Sequence, residues 1–245
     1  MPLYGLIGYP LGYSFSQAYF NKKFEALGLA GSYYVNFPLA DIREFPVVVK
    51  ANPGLAGLNV TIPHKEGVIQ FLDEQDEVVR ACGACNCIRF QDGKLYGYNT
   101  DVIGFERSWE PLLEQHHTRA LVLGTGGSSK AVAYVLKKRG IGFSFVSRKE
   151  RPDENIIGYA ALTEEIMRSH TLLINTTPLG MAPKVEDAPP IPYQYISSAH
   201  YCYDLVYNPA ETLFLKQARE RGATIKNGHD MLELQAEAGW EIWNS

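Results

Sequence analysis

Ala120-Leu-Val-Leu-Gly124-Thr-Gly-Gly-Ser-Ser129 is an apolar strand running into a glycine-rich turn, and the apolar spacing that follows, through Lys138, is helical. This strand, turn and helix order is the setting in which glycines cradle a dinucleotide. Gly124 permits a tight turn, Gly126 lets the backbone approach a pyrophosphate, and the amides opening the helix, at Gly127 and Ser128, meet its charge. The sixth position is Ser129 rather than Gly or Ala. The next strand, Gly142 to Val146, ends in Ser147-Arg148-Lys149, with Arg151 close by and no acidic residue before Glu150. An acidic side chain there would bind the ribose 2′-hydroxyl of NAD, whereas cations suit the 2′-phosphate of NADP. From the residues alone, a glycine turn that only packs and a basic turn that is only solvated remain the alternatives.

Working outward, a helix near Thr163 to Arg168 leads to a strand at Thr171 to Asn175. A proline-rich loop over Pro183 to Pro192 then precedes a strand at Cys202 to Val206, a helix at Glu211 to Arg221 and a last helix at Met231 to Trp243. Alternating β and α at this spacing predicts a parallel, doubly wound sheet. Upstream the expected elements are a strand at Leu3 to Gly8, a helix capped by Ser16 and stopped by Gly28, and a strand at Tyr33 to Phe37. A helix from Asp41 to Ala51, shortened or kinked by Pro46, and a strand from Leu55 to Thr61 follow. Cys87 to Phe90 and Lys94 to Tyr98 flank Gln91-Asp92-Gly93 as a hairpin. Val102 to Leu113 reads as a helix at the boundary between two domains.

The 245 residues, 46% of them hydrophobic, suffice for such cores, and a net charge of −4 without Lys/Arg runs argues against nucleic acid or an anionic membrane as partner. No apolar stretch approaches the roughly 20 residues of a membrane span, and the N-terminus lacks a basic region followed by an apolar one, so a cytoplasmic protein acting on a small molecule is expected. Cys82, Cys85 and Cys87 form a tight cluster, but Cys202 sits apart in a strand-like run. Structural zinc wants four ligands from two knuckles, so buried reduced thiols are expected and no metal.

Gly57-Leu-Asn-Val-Thr-Ile-Pro-His-Lys65 carries the candidate chemistry. Asn59 and Thr61, two apart on a strand, face one side, and Lys65 follows as the chain turns into a helix behind Pro63. Tyr98-Asn-Thr-Asp101 supplies a carboxylate at a similar junction, and a lysine poised for proton transfer needs such a partner. Taken alone, a lysine such as Lys65 is most often a solvated surface charge, and Asp101 or Thr100 could simply cap the helix that follows. His64, His116 and His117 have no evident partner.

Together these segments resemble the shikimate dehydrogenase family from the first strand to the last helix. Gly57 to Lys65 is similar to its GxNVTxPHK segment, Gly97 to Asp101 to GxNTD, Ser14-Phe-Ser16 to SxS, and Gly83 to Asn86 to GAxN. Ile174 to Met181 is similar to INxTPxGM, and Asp204 to Pro209 and Gly228 to Gln235 complete the series. Tyr13, Gln17, Phe20 and Cys87 depart from the usual residues, as do Ser147 and Lys149 beside Arg148.

The resemblance implies an α/β chain of two domains with a cleft between them. One is an open α/β/α substrate-binding domain, residues 1–101 with 228–245, and the other a Rossmann-like doubly wound NADP-binding domain, residues 102–227. It implies reversible NADPH-dependent reduction of 3-dehydroshikimate to shikimate, with Lys65 and Asp101 catalytic. Ser14 and Ser16 would bind the substrate carboxylate, and Asn59, Thr61, Asn86, Tyr207 and Gln235 the ring and its surroundings. Gly124, Gly126, Gly127, Ser128, Ser147, Arg148, Lys149, Thr176, Leu205, Gly228 and Met231 would bind NADP(H). A monomer or homodimer is expected. A quinate/shikimate dehydrogenase with broader substrate or NAD use, and a non-catalytic sensor of shikimate or NADP, are the alternatives.

Overall fold

The computed structural model describes residues 2–12 and 14–245; Tyr13, which departs from the family pattern, lies outside them. Two compact units result: Met1–Thr100 with Ala236–Ser245, and Asp101–Gln235.

The first unit opens with β1 (Leu3–Gly8), α1 (Phe15–Ala26), β2 (Tyr33–Pro38), α2 (Phe45–Ala51) and β3 (Leu55–Val60). β4 (Glu74–Gln75), α3 (Glu77–Cys82), β5 (Cys87–Gln91) and β6 (Lys94–Tyr98) complete it. Its six strands form one mixed sheet in the order β2-β1-β3-β5-β6-β4, with β1 parallel to β2 and β3, and β5 antiparallel to both β3 and β6. An apolar core of Ile7, Leu58, Val60, Val68, Val79 and Ile88 fills one face. Tyr4, Phe20, Phe24, Tyr34 and Trp243 fill the other.

The second unit runs α4 (Asp101–Trp109), β7 (Arg119–Leu123), α5 (Gly127–Lys138), β8 (Gly142–Ser147), β9 (Ile156–Gly158), α6 (Glu164–Ser169) and β10 (Leu172–Asn175). β11 (Tyr201–Asp204), α7 (Leu213–Arg219), β12 (Thr224–Lys226) and α8 (His229–Trp243) follow. Its sheet is parallel throughout, in the order β12-β11-β10-β7-β8-β9. β7, first in the chain, lies in the middle and the sheet grows outward on both sides, so it is doubly wound as expected. The end of α8 belongs to the first unit, where Trp243 Nε1 donates to Ile88 O at 3.0 Å and Glu237 accepts from Lys23 at 2.6 Å.

Several local expectations are corrected. Ser14, not Ser16, caps α1, its Oγ accepting from the Gln17 amide, because Ser14 holds the extended backbone a cap requires. The helix expected from Asp41 is shortened rather than kinked at Pro46: a 3-10 turn covers Ile42–Glu44 and α2 starts at Phe45, with Pro46 in its first turn, where a missing amide costs nothing. β3 ends at Val60, and the segment behind Pro63 is a 3-10 turn over Gly67–Phe71 rather than an α-helix. α4 stops at Trp109, ahead of a 3-10 turn over Glu110–Leu112 that carries Pro111. α8 begins earlier than expected, at His229. All four cysteines are buried and unbonded to one another, and no described residues form a His/Cys/Asp/Glu group able to hold a metal. Among the described residues no helix is long and apolar enough to cross a membrane.

Candidate active site

In each sheet the chain leaves its first strand and later returns to the other side of it. β1 lies between β2 and β3, and β7 between β8 and β10. Loops leaving the carboxyl ends of such strands diverge, and the crevice this opens is where α/β sheets bind ligands. Of the expected site residues, Ser14, Ser16, Asn59, Thr61, Lys65 and Asn86 belong to the first unit, and Asp101, Tyr207, Gln235 and the expected cofactor residues to the second.

In the first unit, Thr61 follows β3 directly, its amide donating to Ile7 O at 2.9 Å and its carbonyl accepting from the His64 amide at 2.9 Å. His64 is buried, and its Nε2 lies 2.6 Å from Leu39 O, a hydrogen bond that requires the ring proton on Nε2. Lys65, half-buried, has its carbonyl fixed by the Cys85 amide at 2.7 Å. The backbone carrying the ammonium is therefore held from both sides. Sequence reading left His64 without a role; its partner stands 25 residues away on another loop, and no local pattern reports that.

Asn86 works at the same edge. Its carbonyl accepts from the Val60 amide at 2.8 Å, and its amide donates to Tyr98 O at 3.1 Å. Its side chain takes the Thr100 amide at 2.6 Å and donates to Thr100 Oγ1 at 3.0 Å. Asn86 thus ties the ends of β3 and β6 together. Ser14 uses a lone pair to cap α1, a bond that leaves its hydroxyl hydrogen uncommitted. Ser16 lies half-buried in the first turn of α1, and the Tyr34 hydroxyl donates to Asn59 Oδ1 at 2.7 Å. Asn59 is thus anchored by Tyr34, which sequence reading did not foresee.

In the second unit, Asp101 is buried and opens α4, where the helix dipole favours a carboxylate. Gly124 has φ +111°, and a Cβ there would meet Thr176 Oγ1 at 2.7 Å, so the turns after β7 and β10 approach as only glycine allows. Thr176 Oγ1 in turn donates to Leu123 O at 2.7 Å. Gly126 differs. Its φ of −84° suits any residue, and nothing lies within 4 Å of a Cβ built on it. No side chain caps α5. Ser129 explains the departure at the sixth position: it is buried and its hydroxyl donates to Gly126 O at 2.6 Å, closing the first turn.

Ser147 ends β8, with Arg148 and Lys149 exposed just beyond it. Burial raises the Tyr159 phenol while the Arg148 charge opposes that rise. Gly228 is buried against Leu205, whose carbonyl oxygen would lie 2.2 Å from an added Cβ, so these two residues are neighbours and the glycine is demanded by packing. Met231 is buried in α8, Tyr207 is half-buried, and Gln235 Nε2 donates to Leu232 O at 2.9 Å.

One polar group here escaped sequence reading. Asp204, fully buried at the end of β11, accepts from Thr212 Oγ1 at 2.6 Å, the Val206 amide at 2.9 Å and Asn175 Nδ2 at 2.9 Å. Burial still pushes its carboxyl up to about 6. Asn175 Oδ1 accepts from Thr177 Oγ1 at 2.6 Å, so the network braces the loops after β10 and β11 that carry Thr176 and Leu205.

Known proteins resemble this chain over nearly its whole length. The model of the shikimate dehydrogenase substrate binding domain matches residues 6–88. A shikimate dehydrogenase (NADP(+)) of Caldanaerobacter subterraneus is 36% identical over 98% of this chain and 91% of its own length. The crystal structure of a chorismate mutase/shikimate 5-dehydrogenase fusion protein from Clostridium acetobutylicum superimposes with a TM-score of 0.88 at 35% identity, covering 99% of this chain and 91% of that one. Shikimate 5-dehydrogenase from Thermus thermophilus, solved in complex with NADP(H) and shikimate, gives a TM-score of 0.86 at 27% identity over 99% and 93% of the two chains. At 36% identity and aligned almost end to end with such a relative, the chain belongs to the shikimate dehydrogenase family.

Proposed function

We propose that the chain is an NADP-dependent shikimate dehydrogenase, reducing 3-dehydroshikimate reversibly to shikimate on the route to chorismate and the aromatic amino acids. The observation that carries this reading is the loop after β3, where Thr61 and Lys65 are held by bonds to Ile7 and Cys85 in a chain related over its length to proteins of that name. The residues fit the cofactor. At Gly126 the backbone is of an ordinary kind and the space beside it is open, so the absent side chain answers to a ligand rather than to the fold. Gly124, Gly126, Gly127 and Ser128 would receive the pyrophosphate, and Ser147, Arg148 and Lys149 the 2′-phosphate. Thr176, Leu205, Gly228 and Met231 would line the rest. When bound, NADPH supplies the hydride.

The protein's share is the proton and the orientation. A ketone that gains a hydride at carbon needs a proton at oxygen from a group within hydrogen-bond reach. Lys65 takes that role and Asp101 orients its ammonium. Ser14 and Ser16 bind the carboxylate, while Asn59, Thr61, Asn86, Tyr207 and Gln235 serve the ring and its surroundings. A site that satisfies each hydroxyl rejects analogues lacking one, because its own polar groups would be left unpaired. Residues 1–101 with 228–245 act as the substrate-binding part and 102–227 as the NADP-binding part, in a cytoplasmic monomer or homodimer. Shikimate oxidation measured with NADP+ and NAD+ side by side tests the reading. Turnover with NADP+ and little activity on quinate is expected, and a preference for quinate with NAD+ overturns it.

A further inference from the structure

Thr61 stands where the ends of β1 and β3 are tied together. Its amide donates to Ile7 O at 2.9 Å, and the next carbonyl, Ile62 O, accepts from the Tyr9 amide at 3.0 Å. Gly8 lies between those two bonds, and its own carbonyl accepts from the Leu39 amide at 3.0 Å. The backbone around Gly8 is therefore held from both sides, by the loop after β2 and by the loop after β3.

Conformation does not call for glycine at this position. Gly8 closes β1 as a strand residue and is not among the glycines with positive φ. Its surroundings do call for it. A Cβ built on Gly8 would overlap the Thr61 Cγ2 methyl, and would stand 3.0 Å from both Ile62 O and Leu11 Cδ2. The last two contacts are tight without overlapping, and Leu11 ends in a flexible side chain, so the Thr61 methyl is the group that a side chain at residue 8 would displace.

The methyl and the hydroxyl of a threonine share one carbon, so the seat of the methyl decides where the hydroxyl goes. A β-branched side chain has three staggered settings, and each of the other two moves Thr61 Oγ1 to a different place. We propose that Gly8 is a positioning residue for the contact between Thr61 and the substrate ring: its missing side chain seats the Thr61 methyl and thereby holds Oγ1 in the one setting that meets a ring hydroxyl. This rests on the proposed shikimate dehydrogenase function and adds to it a residue that acts through Thr61.

Shikimate oxidation at saturating NADP+ by Gly8→Ala, Thr61→Ser and the double variant tests this. Gly8→Ala retains the Thr61 hydroxyl but turns it out of place, so KM for shikimate should rise about 10-fold, the scale of one hydrogen bond, while KM for NADP+ stays within about twofold. Thr61→Ser keeps the hydroxyl and removes the methyl, which frees it among three settings and should raise KM for shikimate about threefold. With no methyl left to displace, adding Gly8→Ala to Thr61→Ser should change KM by less than about twofold, so the double variant binds shikimate better than Gly8→Ala alone. An unchanged KM in Gly8→Ala overturns the proposal, and so does a double variant as poor as Gly8→Ala or poorer, which would mark a glycine needed only for packing. Should Gly8→Ala not fold, the double variant must fold and match Thr61→Ser; one that stays unfolded overturns the proposal as well. Absence of shikimate oxidation by the wild type would instead overturn the function on which it rests.

Discussion

Gly124 and Gly126 sit two apart in one turn, yet alanine at each should fail for a different reason. At Gly124 the backbone has φ +111°, beyond even the left-handed helical region, and the new Cβ would press on Thr176 Oγ1 at 2.7 Å. The conformation alone costs about 1–2 kcal/mol. Moving Thr176 loosens its bond to Leu123 O and adds about 1 kcal/mol more. A total of about 2–3 kcal/mol corresponds to a Tm lower by roughly 4–12 °C in a chain of this size. At Gly126, with φ −84° and open space, alanine costs a few tenths to about 1 kcal/mol for a poorer helix cap. A smaller unfolded-state entropy offsets most of that. Gly126→Ala should therefore melt within about 2 °C of wild type without cofactor, while its NADPH affinity falls by about 100-fold, or about 2.7 kcal/mol. Thermal melts of the apo proteins, paired with NADPH fluorescence titration, separate the two effects. The reasoning fails if Gly126→Ala unfolds as early as Gly124→Ala, or if it binds NADPH as well as wild type does.

Other expectations follow from the same structure. Lys65→Ala should lose turnover by orders of magnitude yet keep NADPH affinity within about twofold, and turnover near wild type would remove Lys65 from the proton path. Asp204 holds its proton up to about pH 6 in the fold against 3.8 unfolded. The folded state thus binds the proton more tightly, so stability falls as pH rises from about 4 to 6 and stays lower above that. Relative to Asp204→Asn, wild type should lose up to about 3 kcal/mol between pH 4 and pH 7 in urea titrations, and a pH-independent difference would contradict this. His64→Leu removes the tie to Leu39 O and frees the backbone before Lys65, so kcat should drop at least about 10-fold while the melting temperature falls by only a few degrees. A variant with full kcat would show that the tie does not serve Lys65. Arg148→Ala should weaken NADP+ about 10-fold or more and leave NAD+ nearly unchanged, whereas equal loss for both would assign Arg148 to packing.

Within the chain, some of this was legible before any tertiary contact was known. The β7 strand, its glycine turn and α5 are consecutive residues whose periodicity and glycine spacing are local, and the structure places them as expected. The parallel sheet could be anticipated too, because alternating strands and helices of this length leave little other topology. The short elements β4, β9 and β12 were missed, since two or three residues carry no periodicity and exist only because a neighbouring strand pairs with them. The cap of α1 was misplaced by two residues, because Ser14 and Ser16 are equivalent by type and only the backbone conformation at Ser14 distinguishes them.

The site divides in the same way. Sequence by itself determined the residue types: a lysine behind a polar strand end, serines before a helix, cations after β8, and glycines where backbone must approach. Tertiary structure alone decided which of them are held and by what. His64 finds Leu39 across 25 residues, Tyr34 finds Asn59 across 25, and Asn175 finds Asp204 across 29. Hydrogen bonds of that range are set by which strands lie side by side, and strand order is a property of the packed sheet rather than of any window of sequence.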